Sequence, residues 1–439
     1  MNEREFWEYA QIEEINEQVL RDDVLITVWC PTYNHENYIK ETLDGFIAQE
    51  TDFVFQVLIF DDASNDKTAE IVREYAKKYP DLFHVFLAGR NTFWHPDREK
   101  FTTSLLKRNL FGKYTAICEG DDCWIDPYKL QIQFDYLESH PACSLYMHNS
   151  LKINYLDGFK ISTQNSYPCV DERDLSCEEV VMQYRCNPAT SSMLFKKELF
   201  FIPGRLAGLQ TIDYMVQLNC MVNGDVHYSN RIMSIYRFCT EGSYTKNFSK
   251  DKYFWYRFQM LQIIFLYQFD RHTLLKYHKW LAHRIQGRVF TLIDGFENCL
   301  EEHIEEFRQQ GKSVSFENED ILRRLIVLDK QVKDGKFIRN ELTEFMNQFQ
   351  NVVIMGTGNY ADKLSNQLEI NHIDFCGYGV SKLDERREFR GKRVWQLDQI
   401  HKELSDVGVI VAIKPLNWNE LTAALENAGI NNYYCPFKL

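Results

Sequence analysis

The feature that most constrains the fold is a series of four apolar runs, each of which stops at a polar residue or turn. The runs are VLITVWC (24–30), FVFQVLIF (53–60), FHVFLA (83–88) and KYTAIC (113–118). Between them, the pattern predicts helices over 35–49, 67–79 and 100–110. Alternating strands and helices with short links predict an α/β fold, in which a mostly parallel sheet carries helices on both faces.

Polar clusters follow three of these predicted strands: PTYN (31–34), DDASND (61–66) and EGDD (119–122). The carboxyl ends of parallel strands share one edge of a sheet, and ligands bind beyond that edge. We therefore expect the three clusters to line a single ligand site.

The EGDD cluster places three carboxylates, those of Glu119, Asp121 and Asp122, within four residues. At ordinary pKa values all three are ionised at pH 7. A solvated loop tip would explain an isolated acidic cluster, but Asp61 and Asp62 are expected to end a neighbouring strand. Hard divalent ions such as Mg²⁺ and Mn²⁺ prefer carboxylate and phosphate oxygens. The pattern thus predicts a metal site that binds a diphosphate and neutralises its charge as it leaves.

In their order along the chain, ITVWCPTYNHENYIKETLDGFIAQ, VLIFDDASNDKT and GKYTAICEGDDCWIDPYKLQIQ resemble the nucleotide-binding half of inverting family-2 glycosyltransferases, which have the GT-A fold. The resemblance covers the chain from Leu25 to Thr245. It implies a nucleotide-diphosphate sugar as donor, in particular a UDP-sugar. The implied acceptor is a hydroxyl of a growing bacterial surface glycan, and we expect a lipid-linked capsular polysaccharide.

The resemblance also implies ligands for individual residues. Contacts with the nucleotide base, ribose or diphosphate are implied for Pro31, Thr32, Tyr33, Asp61, Asp62 and Asp121. The metal, Mn²⁺ or Mg²⁺, is assigned to Asp121 and Asp122. The role of Glu119 stays open, because many family members have Asp at its position.

A basic residue is expected to contact the phosphates as well. The candidates that precede EGDD are Arg90, Arg98 and Lys100, and the spacing does not choose among them. Arg237 lies in IYRFCTEGSYT (235–245), which resembles the segment that closes over the diphosphate. It is either a further phosphate partner or part of a structural ion pair.

An inverting transfer needs a base that takes the proton of the acceptor hydroxyl. In the resembling family this base is an Asp in an acidic motif at a helix start, and AGLQTIDYMVQLNCMVNGD places Asp213 in the first turn of a helix capped by Thr211. We therefore predict that Asp213 is the catalytic residue. The alternative is that it only interacts with the helix dipole. Thr190 and Ser191 resemble the acceptor-site strand, but ordinary strand-edge hydroxyls are the favoured interpretation.

Residues 246–290 are basic in a chain whose formal net charge is -13. They carry nine Lys or Arg against two acidic residues, interleaved with aromatic residues. This composition suits peripheral contact with an anionic membrane surface or a lipid-diphosphate acceptor. A helical layer with a solvated basic face is the favoured interpretation.

The C-terminal part contains GTGNYA (356–361), a form of the dinucleotide-binding turn that follows a predicted strand. The next strand ends at Gly377–Gly379, where NAD-binding domains have an acidic residue, and Asp374 lies at its opposite end. We therefore expect a small Rossmann-like domain with a structural or assembly role. The alternatives are an NAD(P)-dependent sugar-modifying enzyme centred on this domain and a non-catalytic scaffold.

These patterns divide the chain into a GT-A domain (1–246, with a helix over 1–23), a helical segment (247–350) and the Rossmann-like domain (351–439). The acidic net charge argues against nucleic-acid binding, which needs a basic face. Twelve cysteines without a C-x-x-C pair indicate reduced thiols rather than a zinc site. With no apolar run of about 18 residues, we expect a cytoplasmic protein, with contact to the inner face of the membrane left open. A homo-oligomer is allowed.

Overall fold

The computed structural model describes residues 3–16, 23–93, 95, 97–156, 158–164, 172–183, 187–201, 212–240, 243, 246, 252–294, 340–381, 387–413 and 418–434. The chain divides into two compact units, residues 1–288 and 289–439. The basic stretch up to Arg288 is thus grouped with the N-terminal unit, while the domain limits near 246 and 350 stay predictions.

The described part of the first unit contains a sheet of eleven strands. They are β1 (Glu13–Ile15), β2 (Val24–Thr32), β3 (Val54–Asp61), β4 (Phe83–Leu87), β5 (Tyr114–Ile117), β6 (Cys123–Trp124), β7 (Cys143–Asn154), β8 (Lys160–Thr163), β9 (Arg173–Asp174), β10 (Leu194–Lys196) and β11 (Asp225–Phe238). Their order is β1-β4-β3-β2-β5-β10-β7-β11-β6, with β8 on β7 and β9 on β11. The four predicted strands β4, β3, β2 and β5 are parallel.

Helices cover both faces of this sheet. They are α1 (Glu3–Ala10), α2 (Ile39–Ile47), α3 (Thr68–Lys78), α4 (Arg98–Asn109), α5 (Lys129–Ser139), α6 (Cys177–Met182), α7 (Ile212–Asn223), α8 (Lys252–His272) and α9 (His278–Asp294). On one face, Leu43, Val72 and Leu130 of α2, α3 and α5 join the buried core. On the other, the Phe101 ring of α4 stacks on Phe6 of α1, with ring centroids 4.5 Å apart. Because both faces are covered, the strands are apolar throughout, and the α/β prediction is confirmed.

The N-terminal segment differs from the predicted helix over 1–23. Helix α1 ends at Ala10, and β1 pairs antiparallel with β4, where Ile15 lies opposite Val85. The helical prediction is therefore wrong for residues 13–15. The physical reason is the edge of β4, whose backbone groups are satisfied by pairing with β1.

The second unit contains the α/β sheet predicted for the C-terminal part. Its strands are β12 (Asn351–Met355), β13 (Gly377–Val380), β14 (Glu388–Phe389), β15 (Lys392–Gln396), β16 (Val407–Val411) and β17 (Tyr433–Tyr434), and its helices are α10 (Asn340–Met346), α11 (Asn359–Ile370), α12 (Leu397–Glu403) and α13 (Trp418–Asn427). The order is β14-β15-β13-β12-β16-β17, and all neighbours except β14 and β15 are parallel.

None of the helices in the described ranges is both long enough and apolar enough to cross a bilayer.

Candidate active site

The turns after β2, β3 and β5 meet at one edge of the sheet. The amide of Asp62 donates to the carbonyl of Thr32 at 3.1 Å, and the amide of Gly120 donates to the carbonyl of Pro31 at 3.0 Å. The PTYN, DDASND and EGDD clusters therefore lie together, as the parallel arrangement of their strands requires. Tyr33 is partly exposed beside them.

Close packing holds the EGDD turn against α2. A Cβ atom at Gly120 would lie 2.5 Å from the Thr32 hydroxyl and 2.8 Å from His35 Nδ1, so this position needs a glycine. From α2, the Thr42 hydroxyl lies 3.0 Å from the carbonyl oxygen of Gly120 and 2.5 Å from that of Asp122. These contacts fix the conformation of the turn and therefore the positions of its carboxylates.

Both aspartates that follow β3 are buried and hydrogen-bonded. Asp61 accepts from the Ser64 amide at 2.9 Å and from the Ser64 hydroxyl at 2.5 Å. Burial raises the pKa of Asp61, although the Ser64 bonds oppose the shift. Asp62 Oδ1 accepts from the amide and the hydroxyl of Thr92, both at 2.7 Å, and Oδ2 lies 3.5 Å from Arg98. These bonds shape the turn, and direct contact of either Asp with a nucleotide stays a prediction.

The contact just described places Arg98 at the predicted site. The guanidinium of Arg90 instead lies over the Tyr9 ring, 4.7 Å from its centroid. Lys100 pairs with Asp97 at 3.1 Å. Of the three basic candidates, Arg98 is therefore the one with the structural position of a phosphate partner.

The two aspartates of EGDD have different partners. Asp121 Oδ2 accepts from the Thr240 hydroxyl at 2.7 Å and lies 3.9 Å from His35 Nε2. Asp122 Oδ1 accepts from the Arg237 amide at 2.9 Å. Burial and the neighbouring Asp121 raise the pKa of Asp122 to about 8. Asp122 Oδ2 is buried without a hydrogen-bond partner, an arrangement that a nearby cation would stabilise.

Arg237 supports the EGDD turn from β11. Its Nη1 donates to the Asp121 carbonyl at 2.8 Å, and its Nη2 pairs with the Glu41 carboxylate. The side chain is only 5% exposed. Of the two interpretations left open by the sequence, these contacts favour the structural ion pair over a phosphate contact.

Asp213 lies in the first turn of α7, as predicted. Burial raises the pKa of Asp213, and its interactions with nearby backbone amides, Arg288 and the Thr190 side chain oppose the shift. The proposed cap, Thr211, lies outside the described residues.

The charge of Asp213 also affects the pKa of a residue in the EGDD turn. Desolvation and the charges of Asp121, Asp122 and Asp213 raise the pKa of Glu119. Because Glu119 is exposed to solvent, we attribute its raised pKa mainly to repulsion from the three aspartates rather than to burial. That the predicted base and the predicted metal ligands act in one site stays a prediction.

The sequence analysis underestimates the turn Thr190–Ser192. Besides the bond from Thr190 to Asp213, the Ser191 hydroxyl interacts with Asp122. Residues Thr190–Ser192 form a short 3₁₀ turn rather than a strand edge, and a role of this turn at the acceptor site stays a prediction.

Tyr236 is a further residue that the sequence analysis misses. Burial and the charges of Asp122, Glu119, Asp121 and Asp213 raise its pKa, so the phenol stays neutral and can donate a hydrogen bond. Side chains alternate along a strand, and Tyr236 is next to Arg237 on β11. The alternation could have predicted from the sequence that Tyr236 and Arg237 lie on opposite faces of β11.

The carboxylates of the EGDD turn are suited to bind a divalent metal together with substrate phosphates. Within the described ranges, no group of three or more His, Cys, Asp or Glu side chains is arranged to hold a metal ion. Mg²⁺ is typically bound by one or two carboxylates plus substrate phosphates. Asp121 and the unpartnered Oδ2 of Asp122 fit this pattern, in which the substrate completes the coordination.

The chain thus has an α/β fold with an acidic cluster at one edge of its sheet. Residues 27–197 match the family described as Glycosyl transferase family 2. This match agrees with the resemblance seen in the motifs of the same residues.

Known proteins are similar to parts of the chain. An uncharacterised protein of Mycobacterium tuberculosis is 34% identical over 227 residues, which are 51% of this chain and 62% of the relative. The chain thus spans less than two thirds of that relative. The putative teichuronic acid biosynthesis glycosyltransferase TuaG of Bacillus subtilis is 31% identical over 111 residues, 25% of this chain and 41% of TuaG. The structure of S. aureus TarS 1–349 in complex with UDP-GlcNAc aligns with a TM-score of 0.45 and 16% identity, over 72% of this chain and 93% of TarS 1–349.

Proposed function

We propose that this protein is a metal-dependent inverting glycosyltransferase that uses a nucleotide-diphosphate sugar, in particular a UDP-sugar. The observation that carries the proposal is the meeting of the PTYN, DDASND and EGDD turns at one edge of the sheet, where Asp122 Oδ2 is buried without a hydrogen-bond partner among the described residues. An inverting transfer needs a base and a charge-neutralising metal in one site. The family match over 27–197 supports the same reaction class.

In this proposal each residue group has one task. Asp121 and Asp122 would hold Mn²⁺ or Mg²⁺, whose charge would stabilise the leaving diphosphate, and Pro31–Tyr33 would line the nucleotide. Asp213 accepts the proton of the acceptor hydroxyl. At the same time the oxygen of that hydroxyl bonds to the anomeric carbon, and the bond from this carbon to the diphosphate breaks. The raised pKa of Asp213 makes it a stronger base than an ordinary carboxylate. Thr190 holds that carboxylate in place.

The acceptor that we propose is a growing bacterial surface glycan, such as a lipid-linked capsular polysaccharide. The name of the relative TuaG, a putative teichuronic acid biosynthesis glycosyltransferase, supports this class of acceptor. For the second unit we propose a structural or assembly role.

Ligand-dependent stability separates this proposal from an NAD(P)-dependent enzyme. UDP with Mn²⁺, at about 100 times its Kd, is expected to raise the melting temperature by about 5 °C or more, because it binds only the native state. EDTA should remove this shift, and NAD(H) should cause none. A shift with NAD(H) and none with UDP and Mn²⁺ would contradict the proposal and favour the alternative.

We also propose that the tip between α8 and α9 contacts an anionic membrane surface. Leu274 and Leu275 are 89% and 56% exposed there. Arg271, Lys276 and Lys279 are exposed around them. Adjacent apolar side chains within a basic surface combine the two attractions that bind proteins to the interface of anionic bilayers.

Vesicle sedimentation tests this membrane contact. The full chain is expected to bind phosphatidylserine vesicles at low salt and to be released at high salt, since salt screens the attraction. Leu274→Ser combined with Leu275→Ser should reduce the bound fraction severalfold. Leu156→Ser, at another residue that is 56% exposed, is the control and should have no effect. Equal binding by the double variant, or no binding of the wild type at low salt, would exclude the contact.

A further inference from the structure

Two arginines of α9, Arg284 and Arg288, lie beside the proposed base. They are one helical turn apart, so their side chains share a face of the helix. The guanidinium of Arg284 lies over the Tyr214 ring, 5.7 Å from its centroid. Asp213 and Arg288 interact electrostatically, each shifting the pKa of the other. The pair thus borders the first turn of α7.

The hydrogen-bonding capacity of this arginine pair is only partly used. Arg284 donates to Gln183 Oε1 at 3.2 Å, and Arg288 donates to Gln259 Oε1 at 3.0 Å. In both arginines Nε is buried without a hydrogen-bond partner. A guanidinium carries five N–H donors, and among the described residues the acceptors, the two amides and the Tyr214 hydroxyl that interacts with Arg284, are all neutral.

The charge of the pair is not balanced either. Burial and the repulsion from Arg284 lower the pKa of Arg288 to about 9. Asp213 opposes this shift, but it already accepts bonds from two backbone amides and from Thr190. Among the described residues, Asp213 is the one carboxylate that acts on Arg288, beside two guanidinium groups. Such a pair destabilises the fold unless an anion binds it.

We propose that Arg284 and Arg288 bind an anionic group, a phosphate or a carboxylate, on the sugar substrate that Asp213 faces. Arginine pairs suit this task because their planar donors match the oxygens of both groups. The inference rests on the proposed function and adds a substrate class to it. Either the acceptor carries a phosphate or carboxylate, or the donor sugar is a uronic acid.

Binding of inorganic phosphate to the full chain, saturated with UDP and Mg²⁺, tests this site by calorimetry. UDP occupies the donor site, so phosphate reports a second site. Replacing both arginines by Gln is expected to weaken phosphate binding by about tenfold or more, since two charge-assisted contacts are lost. The control is Arg73→Gln, at an exposed position of α3, which should bind phosphate like the wild type.

The affinity for UDP is measured in the same variants and should stay within about twofold. The melting temperature should not fall, because an unbalanced pair has been removed. Unchanged phosphate affinity in the double variant, or no phosphate binding by the wild type, would overturn the inference. Failure of the wild type to bind UDP would instead count against the proposed function.

A second arm identifies which substrate carries the anion. UDP-glucuronic acid or UDP-glucose replaces UDP in the same titration. If UDP-glucuronic acid alone prevents phosphate binding, the anion belongs to the donor sugar. If phosphate binds with both, the anion belongs to the acceptor. Exclusion of phosphate by UDP-glucose as well would contradict the inference, because a neutral sugar would then occupy the pair.

Discussion

Asp213→Asn is expected to lower the turnover number of sugar transfer by about two to four orders of magnitude, the usual contribution of a general base. The amide retains an oxygen that can accept the bonds from Thr190 and the Tyr214 amide, so the first turn of α7 should keep its geometry. It cannot take a proton from the acceptor hydroxyl. Steady-state kinetics with an identified donor and acceptor measure the change in turnover number. The affinity of the variant for UDP with Mn²⁺ should stay within about twofold of the wild-type value.

The pH profile adds a readout that a structural role would not change. Transfer by the wild type should rise with pH through the raised pKa of Asp213, because only the carboxylate is a base. The residual rate of the Asn variant should lack this limb. Asp225→Asn, at the exposed start of β11, is the control and should behave as the wild type. Near-normal turnover of the Asp213 variant would remove Asp213 as the base.

Asp121→Asn is expected to act on binding rather than on chemistry alone. Its amide oxygen can still accept from the Thr240 hydroxyl, so the EGDD turn should remain folded. The loss of one negative charge at the metal should weaken UDP binding in the presence of Mn²⁺ by about tenfold to a hundredfold. Calorimetric titrations of UDP with and without Mn²⁺ measure this effect.

The metal-free titration provides the internal comparison. Without Mn²⁺, the variant should bind UDP as well as the wild type or better, because a carboxylate near the diphosphate repels it. Asp135→Asn, in an exposed position of α5, should leave both titrations unchanged. If the Asp121 variant retained the full effect of Mn²⁺ on UDP affinity, the metal would bind elsewhere.

Local patterns were sufficient to predict the parallel strands and the residues at their carboxyl ends. A buried parallel strand is a continuous apolar run, and the polar turn after it stands directly beside it in the chain. The position of Asp213 in the first turn of α7 is local in the same sense. The short strand β1 was missed because three residues show no period of their own, and its pairing depends on the distant β4.

Contacts between segments that are distant in the chain could not be predicted from the sequence. The bond from Thr190 to Asp213 and the approach of Ser191 to Asp122 join three separate segments. They depend on β10 running antiparallel between β5 and β7, an order that no local pattern specifies. The same holds for Arg237, whose partner Glu41 lies on a helix 196 residues away in the chain.

Consumption of the donor tests the central claim most directly. The full chain is incubated with Mn²⁺ and a panel of nucleotide sugars, and the release of nucleoside diphosphate is followed, with water as the acceptor. We predict release from at least one UDP-sugar, its loss with EDTA, and a rate for the Asp213→Asn variant lower by about two to four orders of magnitude. No release from any nucleotide sugar, with Mn²⁺ or with Mg²⁺, would contradict the assignment of this protein as a glycosyltransferase.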